Sequence, residues 1–123
     1  MNDEKNLAKF VGYSIEKIAS FLEMDTKFIY LSDLQGETSL KGQDRTIDIC
    51  KRVNADHYVN AIGGQELYDK NSFSKSGITL NFLSQQTIEY KQFNNEFVPN
   101  LSIIDIMMFN SQVEIKEMLK KFS

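Results

Sequence analysis

The chain offers few side chains that could do chemistry, and most of them cluster near turn signals. Gly63 and Gly64 stand together after an apolar, β-branched run, with Gln65 and Tyr68 close behind. Paired glycines at the end of a strand let a main chain approach a phosphate or a sugar closely and expose N–H donors. They are also an ordinary turn signal. Neither G-x-G-x-x-G nor a Walker A sequence is present, so the nucleotide signal rests on this pair alone. A second cluster lies in a polar stretch, residues 32–45, where Ser32, Asp33, Ser39, Lys41 and Arg45 could meet a phosphorylated ligand. Hydroxyls and a guanidinium suit phosphate oxygens. The bland alternative is a solvated loop, and two basic residues make no patch.

Further along, Tyr90 and Gln92 could contact a sugar or a base, although Tyr90 fits strand packing equally well. Asn100, Ser102 and Asp105 read first as a helix start, with Ser102 and Asp105 taking backbone donors, and second as an anion site. His57 could serve as a general base, but with no recognisable partner it reads as a structural histidine. Cys50 falls on an inner helical stripe and behaves as a small hydrophobe, whereas a reactive thiol needs an exposed, electropositive setting. One cysteine and one histidine exclude a Cys/His zinc cluster and an internal disulfide. No pattern names a cofactor.

These residues need elements to hold them. Apolar residues at spacings of three and four predict a helix over residues 6–23, with Asn2 or Asp3 as cap and Glu4 in its first turn. Residues 27–31 read as a buried strand and 45–53 as a helix capped by Asp44 and ended by a left-handed Asn54. Strands are expected at 57–62 and 78–83, and a further short one around Ile88 and Tyr90. Between them, 66–73 read as a short helix or turn with Leu67, Tyr68 and Phe73 inward. A helix with Ile103, Ile104, Met107 and Met108 on its apolar side follows, then another over 112–121, with Ile115, Met118, Leu119 and Phe122 inside. Helices and strands alternate. The expected fold is therefore α/β, with a small, mostly parallel sheet of three to four strands flanked by helices, part of a larger α/β unit. In a parallel sheet the loops at 32–45 and 62–68 should share one edge. One of Gly63 and Gly64 should have positive φ or lie where a β-carbon cannot fit.

Composition bounds the partners. At 123 residues, with 41% hydrophobic and 11% aromatic content, the chain is a globular domain rather than a disordered one. A net charge of −3 argues against a non-specific nucleic-acid binder. The acidic amino terminus lacks the apolar run of a signal peptide, and no window is long and apolar enough to span a membrane. The expected location is the cytoplasm. Residues 101–109 are apolar nearly all round, which predicts an interface.

Three stretches resemble the WbqC-like protein family. They are Asp48 to Gly64, which holds a helix, Asn54-Ala55-Asp56-His57-Tyr58, the following strand and Gly63-Gly64; then Tyr68-Asp69, Phe73 and Gly77 to Phe82; and Phe97-Val98-Pro99-Asn100-Leu101-Ser102-Ile103-Ile104-Asp105 on to Asn110. Tyr90-x-Gln92 matches as well. Asn54 stands where that family has glycine, and Ser111 follows Asn110 in place of a glycine. The resemblance lies mainly over residues 44–123 and lacks a Gln-Pro loop, which implies the carboxyl-terminal half of a family member. It further implies a role in bacterial surface-polysaccharide (O-antigen) synthesis, as part of a transferase acting on a nucleotide-activated sugar. The alternative is a non-enzymatic binding or assembly module. The partners so implied are a nucleotide sugar or other phosphorylated small molecule, and a second copy or an absent amino-terminal half.

Overall fold

The computed structural model describes residues 5–36, 39–94 and 96–123. The expected caps Asn2, Asp3 and Glu4 lie outside the described residues. In chain order the elements are α1 (Leu7–Phe21), a 3-10 turn (Leu31–Asp33), α2 (Gly42–Arg52), β1 (His57–Ala61), a 3-10 segment (Ile62–Leu67), α3 (Lys70–Lys75), β2 (Thr79–Leu83), α4 (Ile103–Phe109) and α5 (Gln112–Met118). They form two compact units, one from Met1–Ile29 with Thr87–Lys121, the other from Tyr30–Gln86 with Phe122–Ser123. No helix is long and apolar enough to cross a membrane among the described residues.

The second unit is the α/β part. β1 and β2 pair in parallel, from His57 opposite Thr79 to Ala61 opposite Leu83. Their inward residues meet α2 and α3 in a core of Ile47, Cys50, Phe73, Ile78 and Leu80, with Ala55, Tyr58, Tyr68 and Phe82 against it. Ile47 and Cys50 reach that core because they sit three apart on α2. Tyr58 stacks on Phe73 at 5.5 Å, and Tyr68 meets both rings edge-on. Among the described residues the sheet has two strands rather than three to four. Residues 27–31 form no strand, because β-branched and aromatic residues hold a strand only against a cross-strand neighbour. Ile88 and Tyr90 likewise lie in irregular chain. Leu67 is 73% exposed, not inward.

Three helices end the same way. After α2, Asn54 has φ 55° and its N–H donates to Lys51 O, while Ala55 N–H reaches back to Cys50 O at 2.8 Å. That is the Schellman arrangement, with Ala55 and Cys50 both on the core. Gly77 (φ 75°) ends α3 identically, and Ile78 N–H returns to Phe73 O. Glu23 (φ 54°) ends α1, and Met24 N–H returns to Ala19 O. The start of α2 differs from expectation: Lys41 holds the cap position and Asp44 falls inside the first turn, where its charge suits the helix dipole.

The first unit packs α1 and α5 with the segment leading into α4. Asn6 caps α1 by accepting from Lys9 N–H. Ser111 and Glu114 form a complete capping box on α5. Gln112 donates to the carbonyl of Phe21, and Lys116 pairs with Glu23, so the end of α1 is tied to α5. α5 stops at Met118, and Leu119 and Phe122 are exposed rather than inside. On α4, Ile103 and Met107 are half-buried, whereas Ile104 is 61% and Met108 77% exposed.

Candidate functional site

Parallel strands end together, and open α/β sheets take ligands beyond those ends. Here β1 and β2 finish in register at Ala61 and Leu83. The chain leaving β1 winds at once into the 3-10 segment that carries Gly63, Gly64 and Gln65. Gly63 has ordinary φ and open space where a β-carbon would stand. Gly64 is the tighter position: an added β-carbon would come within 2.5 Å of the Asn60 carboxamide. Asn60 is folded back there because its Oδ1 accepts from Ala61 N–H at 2.9 Å. The expectation for the pair thus holds at Gly64 through close approach, and at neither glycine through positive φ. Gln43, at the start of α2, joins this end of the sheet by accepting from Asp69 N–H at 2.6 Å. Asp69 in turn caps α3 through Ser72 N–H and Oγ, bonds that hold its carboxyl below the ordinary carboxylate range.

The loop at 32–45 does not lie wholly on this edge. Arg52, at the far end of α2, donates to the carbonyl of Gln35 and grips Asp48 through Nε at 2.6 Å. An added β-carbon at Gly36 would strike that guanidinium. The loop therefore runs from the last turn of α2 back to its first, a helix rise of about 16 Å. Ser32 and Asp33 sit in the exposed turn Leu31–Asp33, where Ser32 Oγ donates to Asp33. Ser39 is exposed before α2, and Arg45 lies on the exposed side of α2 itself. At the other end of the loop Gln43 reaches Asp69, just past the glycine segment, and no strand precedes Ser32 among the described residues. Tyr68 packs against the core of this unit and is half-buried. Its ring packs on Tyr58 and Phe73, and burial together with the Tyr68 hydrogen bond pushes the Tyr58 phenol up to about 12.

The residues at 90–105 form a network of their own in the other unit. Gln92 is only 8% exposed. Its carboxamide donates to Val98 O at 3.0 Å and accepts from Val98 N–H at 2.8 Å, imitating a strand neighbour. Tyr90 Oη donates to Asp105 Oδ2 at 2.5 Å, and Gln92 Nε2 lies 3.4 Å from the same oxygen. Burial and that carboxylate push the Tyr90 phenol above its ordinary value. Ser102 caps α4 as expected, accepting from Ile104 N–H, but Asp105 serves Tyr90 instead of closing a capping box. Asn100 occupies the left-handed region at φ 59°. The structure thus brings Tyr90, Gln92 and Asp105 together, with Ser102 at the helix cap and Asn100 in a left-handed turn before it.

His57 opens β1, at the end of the strand away from the glycines. It is exposed, with Nδ1 2.9 Å from Asp56 Oδ1, and that neighbour draws the Asp56 carboxyl down. Cys50 is buried, and its thiol is pushed up by that burial. No group of acidic, histidine or cysteine side chains that could hold a metal occurs among the described residues. Sequence reasoning missed a shallow groove of about 410 Å³ between α2 and α3, lined by Asp44, Asp48, Lys51, Ser72 and Lys75 over a floor of Ile47. The spacing of Asp44, Asp48 and Lys51 on one helix face was its signal.

Neither a curated protein nor a solved structure matches the chain. A family model does, over residues 1–117. That span includes the first 43 residues, so the restriction to a carboxyl-terminal half is not borne out. The Tyr90–Gln92–Val98–Asp105 network and the strand, glycine and core positions from Asn54 to Phe82 give a structural role to the stretches that carry the resemblance, and the chain belongs to the WbqC-like protein family.

Proposed function

We propose that this protein is part of a transferase of bacterial surface-polysaccharide (O-antigen) synthesis, and that it holds the diphosphate of a nucleotide-activated sugar at the loop after β1. Family membership supports the setting. The observation that carries the site is the open, side-chain-free approach at Gly63, next to Gly64 and at the joint carboxyl end of two parallel strands. The main-chain N–H of Gly63, in the first turn of the 3-10 segment, is the donor for a phosphate oxygen, and the carboxamide of Asn60 lies beside Gly64. The proposed place of action is the cytoplasm, in keeping with a lone, buried cysteine.

The experiment is calorimetric binding of UDP-N-acetylglucosamine to the purified chain, beside a Gly63→Asp variant. The open space at Gly63 lets an aspartate in without disturbing the fold, while its charge opposes a diphosphate. Binding by the wild type that the variant loses supports the reading. Equal binding by both removes the glycine loop from it. The second reading, an assembly module without chemistry, is favoured by the exposure of Ile104, Met108 and Val113 on α4 and α5. Ile104→Ser with Met108→Ser should then abolish self-association and leave nucleotide-sugar binding absent in both proteins.

A further inference from the structure

The sheet is unfinished on one side. Parallel strands are ordinarily covered on both faces, and a two-stranded sheet is marginal by itself. Yet Val59 is 56% exposed, and Ile62 and Leu83 are exposed as well. The ladder tells which edge is open. Thr79 N–H donates to Asp56 O at 2.8 Å, so the main-chain groups of Tyr58 and Asn60 also turn toward β2, and those of His57, Val59 and Ala61 turn away. The outer edge of β2 is already in use where it ends, since Ser84 and Ser123 exchange hydrogen bonds at 2.8 and 3.0 Å. On β1, Ala61 N–H is taken by Asn60 Oδ1. Among the described residues, nothing reaches the outward main chain of His57 or Val59. The edge also lacks the lysine, proline or bulge by which proteins blunt such strands.

We propose that this edge pairs with β1 of a second copy of the chain, antiparallel about a twofold axis through Val59. The open outward groups are the N–H and C=O of His57 and Val59 and the C=O of Ala61, so that about a twofold axis at Val59 the His57 N–H meets the Ala61 C=O of the other copy. Val59 then exchanges both main-chain bonds with Val59 of the second copy, and His57 lies opposite Ala61. The two open Val59 side chains meet on the same face. No like charges are opposed, because β1 carries neither lysine nor carboxylate. The product is a four-stranded sheet in the order β2, β1, β1, β2. A five-residue edge buries less than the roughly 800 Å² per partner of a tight complex, so the dimer dissociates in the micromolar range.

A residue on a twofold axis faces itself, and that supplies the test. Light scattering and sedimentation on the full chain should show a concentration-dependent dimer. Val59→Lys and Val59→Glu, both at an exposed position, should each keep the native circular dichroism and weaken the dimer roughly fivefold or more, since each opposes like charges. An equimolar mixture of the two variants should recover dimers, now mixed ones. A wild-type chain that stays monomeric at high micromolar concentration overturns the proposal. So does a Val59→Lys protein that dimerises like the wild type, or a mixture that stays monomeric.

Discussion

Replacing Gln92 with leucine should destabilise the first unit by about 2 kcal/mol. The side chain is buried, and its carboxamide makes two well-formed bonds to the main chain of Val98 and a long one to Asp105. Each good bond contributes on the order of 1 kcal/mol net. Leucine keeps the volume but leaves the Val98 N–H and C=O without their partners. Exposure of the Val98 side chain lets water return to some of that loss, which holds the cost near 2 rather than 4 kcal/mol. For a chain of 123 residues, 1 kcal/mol moves the melting temperature about 4 °C, so a fall of about 8 °C is expected. Urea titration followed by circular dichroism measures the free energy directly. Gln92→Glu should be worse at neutral pH, because it sets a carboxylate beside the Val98 carbonyl and Asp105. A loss below about 0.5 kcal/mol for Gln92→Leu would refute the view that this carboxamide organises the segment from Phe93 to Asp105.

Asn54→Gly should stabilise by a few tenths to about 1 kcal/mol and Asn54→Val should cost about 1–2, opposite signs that denaturant midpoints resolve, because residue 54 is left-handed. Glu23→Ala should weaken α1 by loss of the ion pair with Lys116, whereas Glu23→Gly should regain part of it through the relaxed backbone. The Tyr58 phenol is raised from 10.0 to about 12, so it holds its proton longer when folded. Its contribution is full below the unfolded value and falls as pH rises from 10.0 toward about 12. Tyrosinate absorbance and melting temperature, followed together through that window, should show one tyrosine ionising only as the unit unfolds. Asp69 and Glu114 are held low by Ser72 and Ser111, so helix caps should be lost as pH falls through and below the usual carboxylate range, visible as a falling helical signal.

Local signals were readable where one element decides its own fate. Apolar spacing revealed α1 and the core side of α2, Asn54 announced a left-handed stop, and Ser102 announced a cap; each depends on residues within a turn or two. Residues 57–62 and 78–83 were recognisable as strands because both carry β-branched runs beside turn residues and found each other as partners. Residues 27–31 carry an equally good pattern but have no neighbouring strand, so pattern alone misled. The candidate site shows the same division. Gly63 and Gly64 could be picked out as a strand end. The roles of Tyr90, Gln92 and Asp105 could not, because their bonds join residues 6 to 15 apart through an irregular segment. Nor could Arg52 be seen holding Gln35, a contact 17 residues apart that takes half of the polar loop away from the glycines.

The most direct test of the central claim is amide chemical-shift mapping of the isotope-labelled chain during titration with UDP-N-acetylglucosamine. Saturable shifts at Gly63, Gly64 and Gln65, smaller ones at Asn60 and Gln43, and none in the Tyr90–Asp105 network are the expected result. No saturable shift at millimolar ligand, or shifts confined to residues 87–121, would contradict the placement of a diphosphate at the end of the parallel strands.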